Sequence, residues 1–247
     1  MSDAGIQFGD TFISRDEVML RSARGATGLS SLGVGRDDTV AMMLRNDPAY
    51  LEATMAIRIV SALPVPINWH LRGEEVEYII KDSGAKALVI HSDLYDELKD
   101  HVPEGVHVIE VETPEILIES YGIDRDQCPV HAESKNWYPW LAEQEPWTDD
   151  PVAQTASMIY TSGTTGRPKG VRREASTPEQ YEKQVMVVAE VFGLVPGSRT
   201  IIPAPLYHAA PNGYAIFALQ LEAFIVIMPR FDAEEFLRLI QDYKITR

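Results

Sequence analysis

Met158-Ile-Tyr-Thr-Ser-Gly-Thr-Thr-Gly-Arg-Pro-Lys-Gly170 runs from an apolar stretch into small hydroxyl residues and glycines, then closes on a proline, a lysine and a glycine. This is the make-up of a loop that holds phosphate. Gly163 and Gly166 permit backbone geometries in which successive N–H groups turn toward one anion. Thr161, Ser162, Thr164 and Thr165 supply hydroxyl donors, and Lys169 adds a mobile positive charge. Two other phosphate loops are excluded by spacing. A Walker loop needs four residues between its first glycine and a Gly-Lys-Ser/Thr, whereas two separate Gly163 from Gly166 and Gly170 follows Lys169. A dinucleotide loop needs three spaced glycines, and Gly33-Val-Gly35 lacks the third.

Outward from this loop the chain alternates β-type and helix-type runs, which defines an α/β fold. The β-type runs are Thr39–Leu44, Ala62–Ile67, Lys86–Ile90, Val106–Val111, Ser157–Tyr160, Thr200–Pro203 and Ala223–Met228. Several are continuously apolar, as strands covered on both faces are. Pro64 and Pro66 mark the second as an edge or irregular strand. Asp47-Pro48 reads as a helix start, with Leu51, Met55 and Ile59 on one face. Thr177-Pro178-Glu179-Gln180 is a capping box. Behind it Tyr181, Val185, Val188 and Phe192 form an apolar face that Gly193 ends. Asp232 opens a further helix, with Phe236, Leu239, Ile240 and Tyr243 turned inward. A short helix is expected near Trp137–Glu143, held down by its aromatic residues.

Composition narrows the function. With 45% hydrophobic and 24% charged residues the chain has the balance of a folded protein. Its 22 Lys and Arg against 37 Asp and Glu give a net charge of −15. That excludes the broad basic footprint of a nucleic-acid binder. Its one cysteine, Cys128, excludes an internal disulfide and a Cys-rich zinc site. The most apolar stretch, Tyr214 to Met228, is interrupted by Gln220 and Glu222 and is too short to span a bilayer. Met1 to Phe12 lacks the basic-then-apolar order of a secretory leader. A cytoplasmic protein is therefore expected.

The loop resembles the signature of the adenylate-forming superfamily, the group of acyl-CoA synthetases, firefly luciferases and peptide-synthetase adenylation domains. Tyr160 to Gly170 matches that pattern at every position. The resemblance extends to Leu32–Ala41, Val65–Leu71 and Asp82–Lys86, and to Pro205-Leu-Tyr-His-Ala-Ala-Pro-Asn212. The last is closer to acyl-CoA synthetases than to peptide-synthetase domains. It implies a layered α/β N-terminal domain of two sheet-and-helix lobes. One spans 38–194; the other combines 1–37 with 195–247 and is left incomplete. It implies ATP, Mg²⁺ and CoA as reactants, and a fatty or other carboxylic acid, a small molecule, as the acyl donor. It implies that Thr161, Ser162, Gly163, Thr164, Thr165 and Gly166 cradle phosphates, and that Lys169 neutralises departing pyrophosphate. His208 would sit near the carboxylate or gate the acyl tunnel, and Gly213, Ala215 and Ala218 would leave room for an acyl chain. No residue is assigned to a metal. Arg172 and Arg173 are either anion-steering groups or a solvated strand end.

Members of that superfamily are about twice this length. The expectation is a chain truncated before the domain is complete, without the mobile C-terminal domain and its catalytic lysine, and so not competent in adenylation by itself. Lys244–Arg247 reads as the opening of a further strand, and an unfinished sheet edge favours self-association into a homo-oligomer. Proteolysis is one origin for a chain closing on Arg247. The alternatives in function are an adenylating enzyme that loads a carrier protein, or a non-catalytic fragment that binds acyl chains or phosphate.

Overall fold

In the computed structural model, residues 3–149, 155–161 and 167–247 are described. Ser162, Gly163, Thr164, Thr165 and Gly166 lie outside the described residues.

The chain opens with a hairpin, β1 (Gly5–Phe8) and β2 (Thr11–Ser14), turned through Gly9 at φ 54°. The Ser14 hydroxyl then accepts from the Glu17 N–H and starts α1 (Arg15–Ser31). A parallel region follows: β3 (Thr39–Met43), α2 (Pro48–Ile59), β4 (Leu63–Pro66), α3 (Gly73–Ser83), β5 (Ala85–His91), α4 (Ser92–Leu98), β6 (His107–Val111), α5 (Glu115–Tyr121), β7 (Lys135–Asn136) and α6 (Trp137–Ala142). These strands make one sheet in the order β4-β3-β5-β6-β7, with every pair parallel. The proline-bearing β4 is at its edge, where a missing N–H costs no ladder bond.

A two-stranded antiparallel hairpin, β8 (Ile159–Thr161) and β9 (Lys169–Val171), precedes α7 (Pro178–Phe192). Then come β10 (Arg199–Ile202), α8 (Ala209–Gln220), β11 (Phe224–Ile227) and α9 (Ala233–Asp242). β10 and β11 join the opening hairpin in a second sheet, ordered β10-β11-β1-β2. All seven expected β-type runs therefore contain strands. Lys244–Arg247 forms no strand, yet the N–H groups of Thr246 and Arg247 both donate to the carbonyl of Arg199, the first residue of β10.

One hydrophobic core draws on both sheets, with Val40 and Met42 of β3 in the same cluster as Ile6 of β1 and Ile225 of β11. α2 lies inside it. The sequence suggests a single apolar face, but Pro48 through Ile57 are buried all round, Glu52 and Thr54 included. Glu52 is satisfied there: its carboxylate accepts from the Trp137 indole N–H at 3.0 Å and from Arg21 at 3.2 Å. α1 makes room for the aromatic helix with glycines. A Cβ on Gly28 would lie 2.4 Å from the Trp140 ring, and one on Gly25 would lie 2.9 Å from the Ala56 methyl. Trp137 and Trp140 of α6 are buried, as their expected packing role requires.

α7 departs from expectation on its apolar side. Its capping box and its left-handed Gly193 cap are as read from the sequence. Tyr181, Val185 and Val188 are half-buried, but Phe192 is exposed, as are Met186, Val187 and Val191. Ala215 and Ala218, expected beside an acyl chain, are buried in the core.

Candidate functional site

The phosphate-type loop hangs from the β8–β9 hairpin. Thr161 is paired with Lys169, Tyr160 with Gly170, and Ile159 with Val171. The two outermost site residues thus face each other where the loop begins and ends. Both are exposed, which is what a hydroxyl donor and an ammonium that meet a solvated anion need.

The hairpin is fastened on several sides. The Met158 N–H donates to the Pro64 carbonyl of β4 at 2.8 Å, and the Thr155 hydroxyl donates to the Ala62 carbonyl at 2.6 Å. From α3, the Tyr78 hydroxyl donates to the Pro168 carbonyl at 3.0 Å. The Arg167 guanidinium sits 5.2 Å from the centre of the Tyr78 ring. The Tyr160 hydroxyl donates to the Asp82 carboxylate at 2.6 Å. Burial, reinforced by that carboxylate, holds the Tyr160 phenol in its protonated, donating form well above its ordinary range. Gly170 is required by the same packing, since a Cβ there would lie 2.3 Å from the Met158 terminal methyl and 2.9 Å from the Tyr160 ring.

His208 enters from the other sheet. The chain leaves the carboxyl end of β10, turns at Pro205, and His208 becomes the exposed N-cap of α8 with its ring 4.4 Å from that of Tyr207. The segment is positioned by Asn46, at the carboxyl end of β3, through bonds to Ala204, Leu206 and Met228. Ligands of open α/β sheets gather at these carboxyl ends.

A cavity of about 240 Å³ joins the two halves. Ile159 of β8 and Ala209, next to His208, both line it, as do Gly213 and Phe217 further along α8. Of the three small residues expected to leave acyl room, Gly213 lines this cavity, and Ala215 and Ala218 are not among its lining residues. Arg58 and Arg173 also line it. Arg172, by contrast, is engaged with Asp37 at 3.2 Å. A larger cleft, about 600 Å³, lies instead between β11 and α9. Its Arg238 is already paired with Glu235 and Asp242.

Other chemically capable residues do not line this cavity. His70 is exposed and stacked on Trp69 at 3.6 Å. Cys128 is buried, and that burial pushes its thiol up and away from reactivity. Glu74 and Glu75 stand in the first turn of α3, where the helix dipole favours acids. Among the described residues no three metal-ligating side chains converge. Sequence reasoning missed the fasteners Tyr78 and Asp82, the bridge Asn46, and Arg58. Only Arg58 had a local signal, as a lone cation in the apolar Met55-Ala-Ile-Arg-Ile59.

Residues 3–247 match the AMP-binding enzyme family, and the chain belongs to it. It is 29% identical over 244 residues to a feruloyl-CoA synthase of Amycolatopsis, covering 98% of this chain and 44% of that protein. Among solved structures, an anthranilate CoA ligase in complex with anthranoyl-AMP is similar at TM-score 0.79 and 22% identity, over 98% of this chain and 45% of that one. The o-succinylbenzoate CoA synthetase of Bacillus subtilis, in complex with ATP and magnesium, is similar at TM-score 0.74 and 23% identity, over 98% and 45%. The chain spans less than half the length of the curated relatives it matches. These likenesses agree with the layered α/β N-terminal fold expected from the sequence. Among the described residues no helix is long and apolar enough to cross a membrane.

Proposed function

We propose that this chain carries the ATP-phosphate and acid-binding part of an acid–thiol ligase that works through an acyl-adenylate. The observation that carries the reading is the pairing of Thr161 with Lys169 at the two ends of the loop. In the reaction a carboxylate oxygen attacks the α-phosphorus of ATP, and the bond to the β-phosphate oxygen breaks and releases pyrophosphate. The thiol of CoA then attacks the acyl carbon, its proton is lost, and AMP departs. The first step brings two anions together and builds charge on the leaving group. Positive charge and aligned donors at that place lower its barrier. Residues 161–166 hold the β- and γ-phosphates, Lys169 offsets the charge of the departing pyrophosphate, and His208, next to Ala209 of the cavity lining, either meets the carboxylate or gates the acyl tunnel.

The proposal includes a division into lobes 38–194 and 1–37 with 195–247, a cytoplasmic setting, and Mg²⁺ delivered with ATP. Because the chain is less than half as long as its relatives, it is proposed to bind ATP without completing adenylation. The test is ATP–pyrophosphate exchange with a panel of carboxylic acids. Exchange at background level is expected, and a clear acid-dependent rate would overturn the assignment of incompetence. Self-association is supported by the edge position of β10 and the exposed Met186, Val187 and Val191 of α7. A clean monomer in concentrated sedimentation runs would contradict it.

A further inference from the structure

The cavity between β8 and α8 has a lining that a purely apolar acyl tail does not explain. Arg58 reaches it from the last turn of α2, and Arg173 from just past β9. Ser157, Ser176 and Gln184 add polar groups, and no carboxylate is present among the described lining residues. In a chain of net charge −15, two arginines facing one small cavity without an acid are not what composition alone provides. The Arg58 Nε is buried with no hydrogen-bond partner among the described residues. Burial also pushes its guanidinium below the ordinary range, against an opposing pull from Tyr181, the direction expected of a cation that has lost water. Arg172, one residue from Arg173, is occupied by Asp37, so the two neighbours are not equivalent surface charges.

We infer that this cavity takes the far end of the acid substrate and that this end carries a second anionic oxygen group, so that the acid is a dicarboxylate. The inference rests on the proposed function, and of its two roles for His208 it takes the one that meets the reacting carboxylate. A volume of about 240 Å³ holds about eight groups of water size, which fits a chain of that order between two carboxylates. The far carboxylate would meet Arg58 and Arg173 in charge-assisted bonds, with Ser157 and Ser176 as further donors. A monocarboxylic acid of equal length would leave a desolvated arginine unpaired against a methyl group. The cavity thereby selects against it as well as for the diacid.

The test titrates suberate and octanoate, eight-carbon acids that differ at the far end, into the chain in the presence of ATP. Suberate is expected to bind about tenfold more tightly, and the ratio to fall to about twofold or less in Arg173→Gln and in Arg58→Gln. Arg173 is exposed, so its variant keeps the test valid if the Arg58 variant does not fold, and a thermal midpoint equal to the parent's verifies this. Octanoate binding as tightly as suberate, or a ratio unchanged in folded variants, overturns the dicarboxylate inference and leaves the proposed function standing. Absence of saturable binding by either acid overturns both.

Discussion

The side-chain carbonyl of Asn46 accepts the backbone N–H of Leu206 at 2.8 Å across a separation of 160 residues. The same amide donates to the Met228 carbonyl at 2.9 Å and to the Ala204 carbonyl at 3.1 Å. One buried side chain, standing at the carboxyl end of β3, therefore fixes the turn that presents His208 and the exit of β11. The two sheets are joined at the site by a residue that touches no substrate in the proposed reaction.

Asn46→Ala removes three bonds at once and leaves the Leu206 N–H in a buried place without its acceptor. Unmet buried polar groups cost about 1–3 kcal/mol each, so a loss of about 2–4 kcal/mol in unfolding free energy is expected from denaturant titration. A midpoint equal to that of the parent would show that Asn46 is not the bridge described.

Gly170 lies under the Tyr160 ring, and a Cβ there would meet the Met158 methyl at 2.3 Å. Gly170→Ala is expected to destabilise by about 1–3 kcal/mol, the usual cost of overfilling a packed place. It should also weaken ATP binding, because the displaced strand carries Lys169. Unfolding and ATP titration measure the two effects. A stable variant with parental ATP affinity contradicts the argument.

Glu52 gives a pH dependence with a defined sign. Burial pushes its carboxyl up to about 7, against the opposing pull of Trp137 and Arg21. The unfolded value is about 4.3, so between these limits the folded chain holds more protons than the unfolded one. Stability from this group is therefore lost as pH rises from about 4.5 to about 7, by on the order of 3 kcal/mol. Glu52→Gln keeps an acceptor for the Trp137 indole and removes the titration. The stability of the variant relative to the parent should climb between about pH 4 and about pH 8. A difference that is constant across that range would contradict this reading of Glu52.

What the sequence reveals and what it conceals follow from range and composition. The seven apolar runs are legible because strands of a covered parallel sheet are apolar on both faces. The caps at Asp47, Thr177 and Asp232 are legible because capping is local. α1, at 17 residues the longest helix among those described, escapes notice because Gly25 and Gly28 lower its helix propensity. Those glycines are explained only by distant packing, Gly28 by the Trp140 ring of α6 and Gly25 by the Ala56 methyl of α2 and the Trp137 ring. β1 and β2 are too short to stand out beside a glycine turn. The loop ends and His208 are legible as candidates from their motifs, but Tyr78, Asp82 and Asn46 act through contacts between distant segments and leave no local pattern. The apolar stripe of α7 misleads only at its end: Tyr181, Val185 and Val188 are half-buried as the periodicity requires, but Phe192, on the same face, is exposed.

The central claim is that the hairpin from Thr161 to Lys169 holds the phosphates of ATP. Lys169 is exposed, so Lys169→Met should leave the fold intact, and calorimetric titration with ATP and magnesium isolates its charge. Saturable binding by the parent, weakened about tenfold or more in the variant at an unchanged thermal midpoint, is the predicted result. Equal ATP affinity in parent and variant would contradict it.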